Sequence, residues 1–225
     1  FVLLNHVDQI RSVETIAHEM GHAFHAELSK ETQPVHYQGH STATAEVAST
    51  FFEQMVGEEL EKELSEKERI ILLHNRISGD MSTIFRQIAF FNFELELHNM
   101  IRARGLVSKE EIAKLLAKHF RSYLGPAVEV KDEDGYFFVH LSHMRNFFYV
   151  YSYAYGQIIS KALFEKWKED KSYAQKIEQF LCAGGSMSPK DIFKSIGIDT
   201  SDPKFFETGL KAVEADIKKL EKLTK

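Results

Sequence analysis

A chain of 225 residues with 44% hydrophobic and 27% charged side chains is long enough to bury a substantial core and too apolar for disorder. Its net charge of −5, with both signs interspersed, offers no basic stripe to a phosphate backbone, so no nucleic-acid partner is expected. One cysteine, Cys182, excludes an internal disulfide and a thiolate-based metal site, and it fits a reducing, cytoplasmic compartment.

Only four prolines and twelve glycines occur, and helical periodicity dominates, so the fold class read from the sequence is mainly α. Residues 11–29 form the first predicted helix, with Val13, Ile16, Ala17, Met20, Phe24 and Leu28 at helical spacing. After a loop containing Pro34 and Gly39, a second helix is predicted from Thr42 to Leu64. Ser65 with Glu68 reads as a capping box for a short third helix. Asp80 or Ser82 is the expected cap of a long apolar helix that runs to Arg104 and stops at Gly105. Ser108 with Glu111 reads as another capping box.

The segment from 127 to 140 breaks this pattern. Its apolar runs flank the acidic turn Lys131–Gly135, which predicts a small hairpin or an ordered loop. Helical pattern resumes near Arg145 and continues to Trp167, with Phe147, Phe148 and Tyr153 expected in the core. A further helix reaches Leu181 and is broken by Gly184 and Gly185; Ser188-Pro189 and Asp202-Pro203 open the last two. The longest stretch without formal charge, 146–160, is too short and too rich in Tyr to span a bilayer, so no membrane partner is expected. No signal peptide is visible, and the first residue is Phe rather than Met.

Chemistry concentrates in His18-Glu19-Met20-Gly21-His22, an H-E-x-x-H pattern inside the first helix. Residues i and i+4 share a helix face, so two imidazoles can bind one tetrahedral ion from a single rigid element. Glu19 lies about a quarter turn away, where it can take a proton from a water on the metal without binding the metal itself. Without cysteine ligands, Zn2+ held by His18 and His22 needs a carboxylate as its third protein ligand. The metzincin continuation is absent, and the second helix supplies the candidate Glu46, ranked ahead of Glu27, Glu31 and Glu53. Ala43, Ala45, Ala48 and Ser49 around Glu46 are small enough to let the two helices approach closely. Glu53, two turns further on, is placed to hydrogen-bond a ligating imidazole. His25 shares the face of the two histidines and is read as packing or support.

Residues 1–5, residues 15–25 around the H-E-x-x-H and residues 45–53 around Glu46 together resemble the oligoendopeptidase F branch of the thimet-oligopeptidase-like metallopeptidases. The Tyr-rich stretch 148–154 and the segment 180–189 with Gly184-Gly185-Ser186 are similar as well. The resemblance covers the chain and implies a zinc peptidase that cleaves oligopeptides in a channel between two helical lobes. It implies His18, His22 and Glu46 as ligands and Glu19 as general base. It also implies His and Tyr groups opposite the metal that stabilise the oxyanion, each such hydrogen bond typically worth about 3–4 kcal/mol. His143 and Tyr151 are the expected catalytic pair among these, and His140, Tyr149 and Tyr155 the expected substrate-binding groups. Family members are much longer, with their extra residues before the zinc helix. Residues 1–225 are therefore read as one catalytic lobe, the C-terminal part of a longer two-lobed peptidase whose N-terminal lobe would be its partner.

Two rivals stand beside the endopeptidase. A zinc carboxypeptidase of similar helical architecture would need a cation for the substrate carboxylate, with Arg145 nearest in sequence. A helical fragment or interaction module without catalysis would be indifferent to Glu19→Gln.

Overall fold

The computed structural model describes residues 2–7 and 9–225, the side chain of Arg145 excepted. Nine α-helices and several 3₁₀ turns occur among these residues, and no strand. The mainly α reading holds. No described helix is long and apolar enough to cross a membrane.

Helix α1 spans Ile10–Thr32 and α2 spans Thr42–Glu63. The buried positions Ala17, Gly21, His25 and Ser29 recur every fourth residue, which makes a narrow stripe along α1. Helix α2 answers with buried Ala43, Thr44, Val47, Ala48 and Phe51. Small residues on both sides bring the backbones together. A Cβ at Gly21 would lie 2.6 Å from the Ser49 Cα and 2.9 Å from the Ala48 carbonyl oxygen.

Helix α3 (Glu66–Asp80) begins as expected: the Glu68 carboxylate accepts from the Ser65 backbone N–H at 2.9 Å. Its end departs from the reading. Asp80 is buried, holds helical angles (φ −60°, ψ −43°) and makes no capping bond. The chain continues through a π turn, Met81–Phe85, into α4, Arg86–Arg104. A cap residue starts a helix only where the preceding backbone is extended, and here it is already helical. Gly105, with φ +79°, then terminates α4.

Helix α5 (Lys109–Leu124) carries the full capping box, with Ser108 and Glu111 each satisfying the other's backbone N–H. The hairpin alternative for the next segment does not form; an ordered 3₁₀ stretch, Asp132–His140, stands there. The polar groups that would build a ladder are engaged elsewhere. The Asp134 carboxylate accepts from the Lys131 N–H at 2.7 Å, while Arg121 of α5 binds the Val130 carbonyl at 3.0 Å and Asp132 at 2.8 Å. Gly135 is buried so tightly against the Ala113 carbonyl that any Cβ would overlap it.

Helix α6 spans Tyr151–Glu169 and so starts later than Arg145. Residues Ser142–Asn146 form a 3₁₀ turn, and Phe147 and Phe148 interrupt the helix at φ +39° and +55°. Phe147 is consequently 74% exposed rather than in the core, because the left-handed turn swings its side chain outward. Helices α7 (Ala174–Cys182), α8 (Pro189–Ser195) and α9 (Pro203–Leu223) follow, the last two capped by the Ser188 and Asp202 side chains.

The chain divides into two compact units, Phe1–Gly79 with Tyr155–Lys225, and Asp80–Ala154. The first has a core of Val47 and Phe51 from α2, Ile159 and Leu163 from α6, and Phe180 and Phe193 from α7 and α8. The second is built on Phe90, Phe93 and Leu97 of α4, with Leu115 and Leu116 of α5, Leu141 and Val150. Each such side chain stabilises its unit by about 1.5–3 kcal/mol when fully buried.

Candidate metal centre

Helix α1 places His18 and His22 one turn apart, with ring centroids 5.0 Å from each other. The close approach at Gly21 sets α2 beside that turn, and Glu46 faces it. A further glycine, Gly156 of α6, backs the same carboxylate, since a Cβ there would lie 2.7 Å from the Glu46 Cβ. Among the described residues, His18, His22 and Glu46 form the group of His, Cys and acidic side chains able to hold one ion, with ligand atoms within 4.8 Å of one another.

The spacing suits a small ion. Donors about 2.0–2.1 Å from a tetrahedral centre are separated from each other by about 3.4 Å. The His18 Nε2 lies 3.6 Å from the Glu46 Oε2. The opposite ring nitrogen of His18, Nδ1, is 3.1 Å from the Glu53 Oε2. With the proton on Nδ1 donated to Glu53, the Nε2 lone pair is left toward the centre. Glu46 is held as well, its Oε2 accepting from the Ser49 hydroxyl at 3.2 Å.

Electrostatics favour positive charge here. Burial disfavours protonation of His18, yet its hydrogen bond to Glu53 and the charges of Glu53, Glu46 and Glu19 outweigh that, so its pKa rises above the ordinary value. At His22 burial prevails, reinforced by His18 and opposed by Glu46 and Glu19, and its pKa falls. A neutral His22 beside a cation-stabilising neighbourhood is the state that can donate a lone pair to a metal. Glu19 is half-buried and its charge acts on both imidazoles.

Of the competing carboxylates, Glu27 and Glu31 are exposed; Glu27 lies 3.6 Å from Lys30. His25 is packed, as expected: it is 1% exposed and stacks on His40 with centroids 4.0 Å apart. Burial first, then the charges of His40 and His22, lower its pKa to about 3.

The remaining site residues lie mostly in the second unit. The His143 Nε2 is 3.0 Å from the Tyr153 hydroxyl, and Tyr149 stacks on His143 with centroids 5.7 Å apart. Tyr149 and Tyr153 are themselves 5.5 Å apart, edge to face. Tyr153, expected in the core, is half-buried and packs against the core of the second unit, with its hydroxyl turned to His143. Tyr151 opens α6 and is 44% exposed. His140 is exposed, its ring 5.9 Å from that of Phe137. Tyr155, in the first unit, packs on Phe193 and Phe206. Arg145, suggested as a carboxylate-binding cation, has its side chain outside the described residues. The sequence reading missed Gly156 and the His143–Tyr153 bond. Only a glycine inside a helix hinted at the first, and nothing local at the second.

An H-E-x-x-H helix clasped to a second helix that brings a glutamate defines a helical metallopeptidase-type centre. The pattern for peptidase family M3 matches residues 1–212, and the chain belongs to that family. It is 31% identical over 225 residues to the oligopeptidase PepF of Bacillus subtilis, covering 99% of this chain and 34% of that protein. Among solved structures, a candidate peptidase from Chlamydophila abortus superposes with a TM-score of 0.88 at 28% identity, covering 99% of this chain and 38% of its own. The oligoendopeptidase-F of Enterococcus faecium superposes with a TM-score of 0.80 at 27% identity, covering 96% and 39%. The chain thus spans little more than a third of the length of the relatives it matches.

Proposed function

We propose that this chain is a zinc-dependent catalytic lobe that hydrolyses internal peptide bonds of oligopeptides, working with further residues of a longer protein. The observation that carries the reading is the convergence of His18, His22 and Glu46 on one point, with Glu53 within hydrogen-bond distance of the far ring nitrogen of His18. The names of the relatives, oligopeptidase and oligoendopeptidase, support the substrate class. They also favour internal cleavage over the carboxypeptidase alternative. A cytoplasmic location goes with this proposal.

His18 and His22 would bind the ion through ring nitrogens and Glu46 through a carboxylate oxygen. When bound, zinc supplies Lewis-acid polarisation of a carbonyl and lowers the pKa of water. Glu19 accepts a proton from the attacking water on its carboxylate and returns it to the departing amine. His143 and Tyr151 act as oxyanion donors, and His140, Tyr149 and Tyr155 as substrate-binding groups. The bond from His143 to Tyr153 adds Tyr153 to the candidates, and the packing of Tyr155 makes it the weakest of them.

The test is cleavage of an internally quenched oligopeptide with a blocked C-terminus by the full-length protein. Wild type should cleave it, whereas Glu19→Gln should retain zinc and lose turnover by about 10²–10⁴-fold. Undiminished cleavage by Glu19→Gln refutes the mechanism. Cleavage only of free C-termini refutes the endopeptidase.

A further inference from the structure

Two adjacent bulky residues at positive φ, Phe147 at +39° and Phe148 at +55°, are an expensive way to build a turn, since L side chains clash with their own backbone there. A glycine would hold it without strain, yet two phenylalanines stand at the entrance to the segment carrying Tyr149, Tyr151 and Tyr153. Such a turn persists only where its surroundings impose it. What imposes it is visible. The Phe148 N–H donates to the Oε1 of Glu94 at 2.8 Å, and Glu94 of α4 is 0% exposed. The Phe148 ring is lodged between Phe91 and His98, with centroid distances of 5.5 and 5.2 Å.

A buried carboxylate is costly, and the other oxygen of Glu94, Oε2, has no hydrogen-bond partner among the described residues. The imidazole Nε2 of His98 lies 3.8 Å from Oε1. A residue kept for packing alone would be apolar at this position. Directly beyond the turn, Tyr149 stacks on His143 and Tyr153 bonds to it.

We infer that Glu94 is a positioning residue: by holding the Phe148 amide it imposes the left-handed aromatic turn and thereby fixes the His143–Tyr149–Tyr153 cluster. Its effect on turnover rests on the peptidase reading above, whereas its hold on the turn does not.

The experiment compares Glu94→Leu, Glu94→Asp and Glu94→Gln in the full-length protein by two readouts, amide hydrogen exchange across residues 146–150 and kcat against KM on the quenched peptide. Leu removes the acceptor, Asp withdraws it while keeping a carboxyl group, and Gln keeps it. Exchange in Leu and Asp should accelerate about ten-fold or more. Their kcat should fall about ten- to a hundred-fold with KM changing far less, because misplacement weakens chemistry more than binding. Gln should restore both toward wild type. If Leu does not fold, Asp against Gln decides. Unchanged exchange in Asp overturns the anchor, and faster exchange with unchanged kcat overturns its positioning role. A wild-type protein without turnover refutes the peptidase reading instead, and exchange then decides the anchor alone.

Discussion

Gly21 lies between the two histidines of α1, where a Cβ would come within 2.6 Å of the Ser49 backbone. No rotamer relieves a clash with a Cα atom, so Gly21→Ala must separate the helices that carry the ligands. The loss should be about 1–3 kcal/mol in denaturant unfolding, accompanied by weaker metal binding. An equally stable Gly21→Ala would show that the helices have room to spare. Glu53 acts at a distance of one bond. Removing it leaves the His18 Nδ1 without its acceptor, so Glu53→Ala should weaken zinc binding by about 10–100-fold in chelator competition. That His18, His22 and Glu46 come together and that Glu53 reaches His18 is legible in the sequence because helical periodicity converts spacing into a shared face. Gly156 is not, because its partner Glu46 comes from an element brought near by tertiary packing, and neither is the Tyr153 hydroxyl, whose partner His143 is reached through the irregular turn at Phe147 and Phe148.

Among the elements, the starts of α5, α8 and α9 follow from their caps. Ser108 with Glu111, Ser188 and Asp202 all act as the sequence suggests. Ser108→Ala should destabilise the second unit by about 1 kcal/mol in thermal or urea unfolding, and an unchanged midpoint would mean that α5 does not rely on its cap. In each misread element a local preference is overridden. Asp80 is a good cap residue within a helix that does not stop. The apolar runs around residue 133 would suit strands, but Arg121 takes the Val130 carbonyl, Asp134 takes the Lys131 N–H, and Gly135 is pressed against the Ala113 carbonyl. Phe147 fits an amphipathic helix face, yet Phe148 is pulled into a left-handed turn by a residue 54 positions earlier in the chain.

For the molecule as a whole, pH enters through a buried histidine. The folded-state pKa of His25 is lowered to about 3 by burial, then by His40 and His22, whereas the unfolded chain keeps the ordinary value near 6.5. Below about pH 6.5 the unfolded state therefore binds the extra proton. Stability should be full above that pH and fall as pH drops toward 3, by up to about 1.4 kcal/mol per unit. Denaturant unfolding of metal-free protein between pH 7 and pH 5.5 should show this slope, and His25→Leu should flatten it; an equal slope in the variant would assign the effect elsewhere.

The proposed centre joins α1 to α2 through one metal ion. Elemental mass spectrometry of the purified protein tests it most directly, with His18→Ala and Glu46→Ala measured in parallel. About one zinc per chain in the wild type, lost from both variants, is the expected result. Zinc retained by Glu46→Ala at the wild-type level would contradict the third ligand, and a wild type that takes up no zinc on reconstitution would contradict the centre itself.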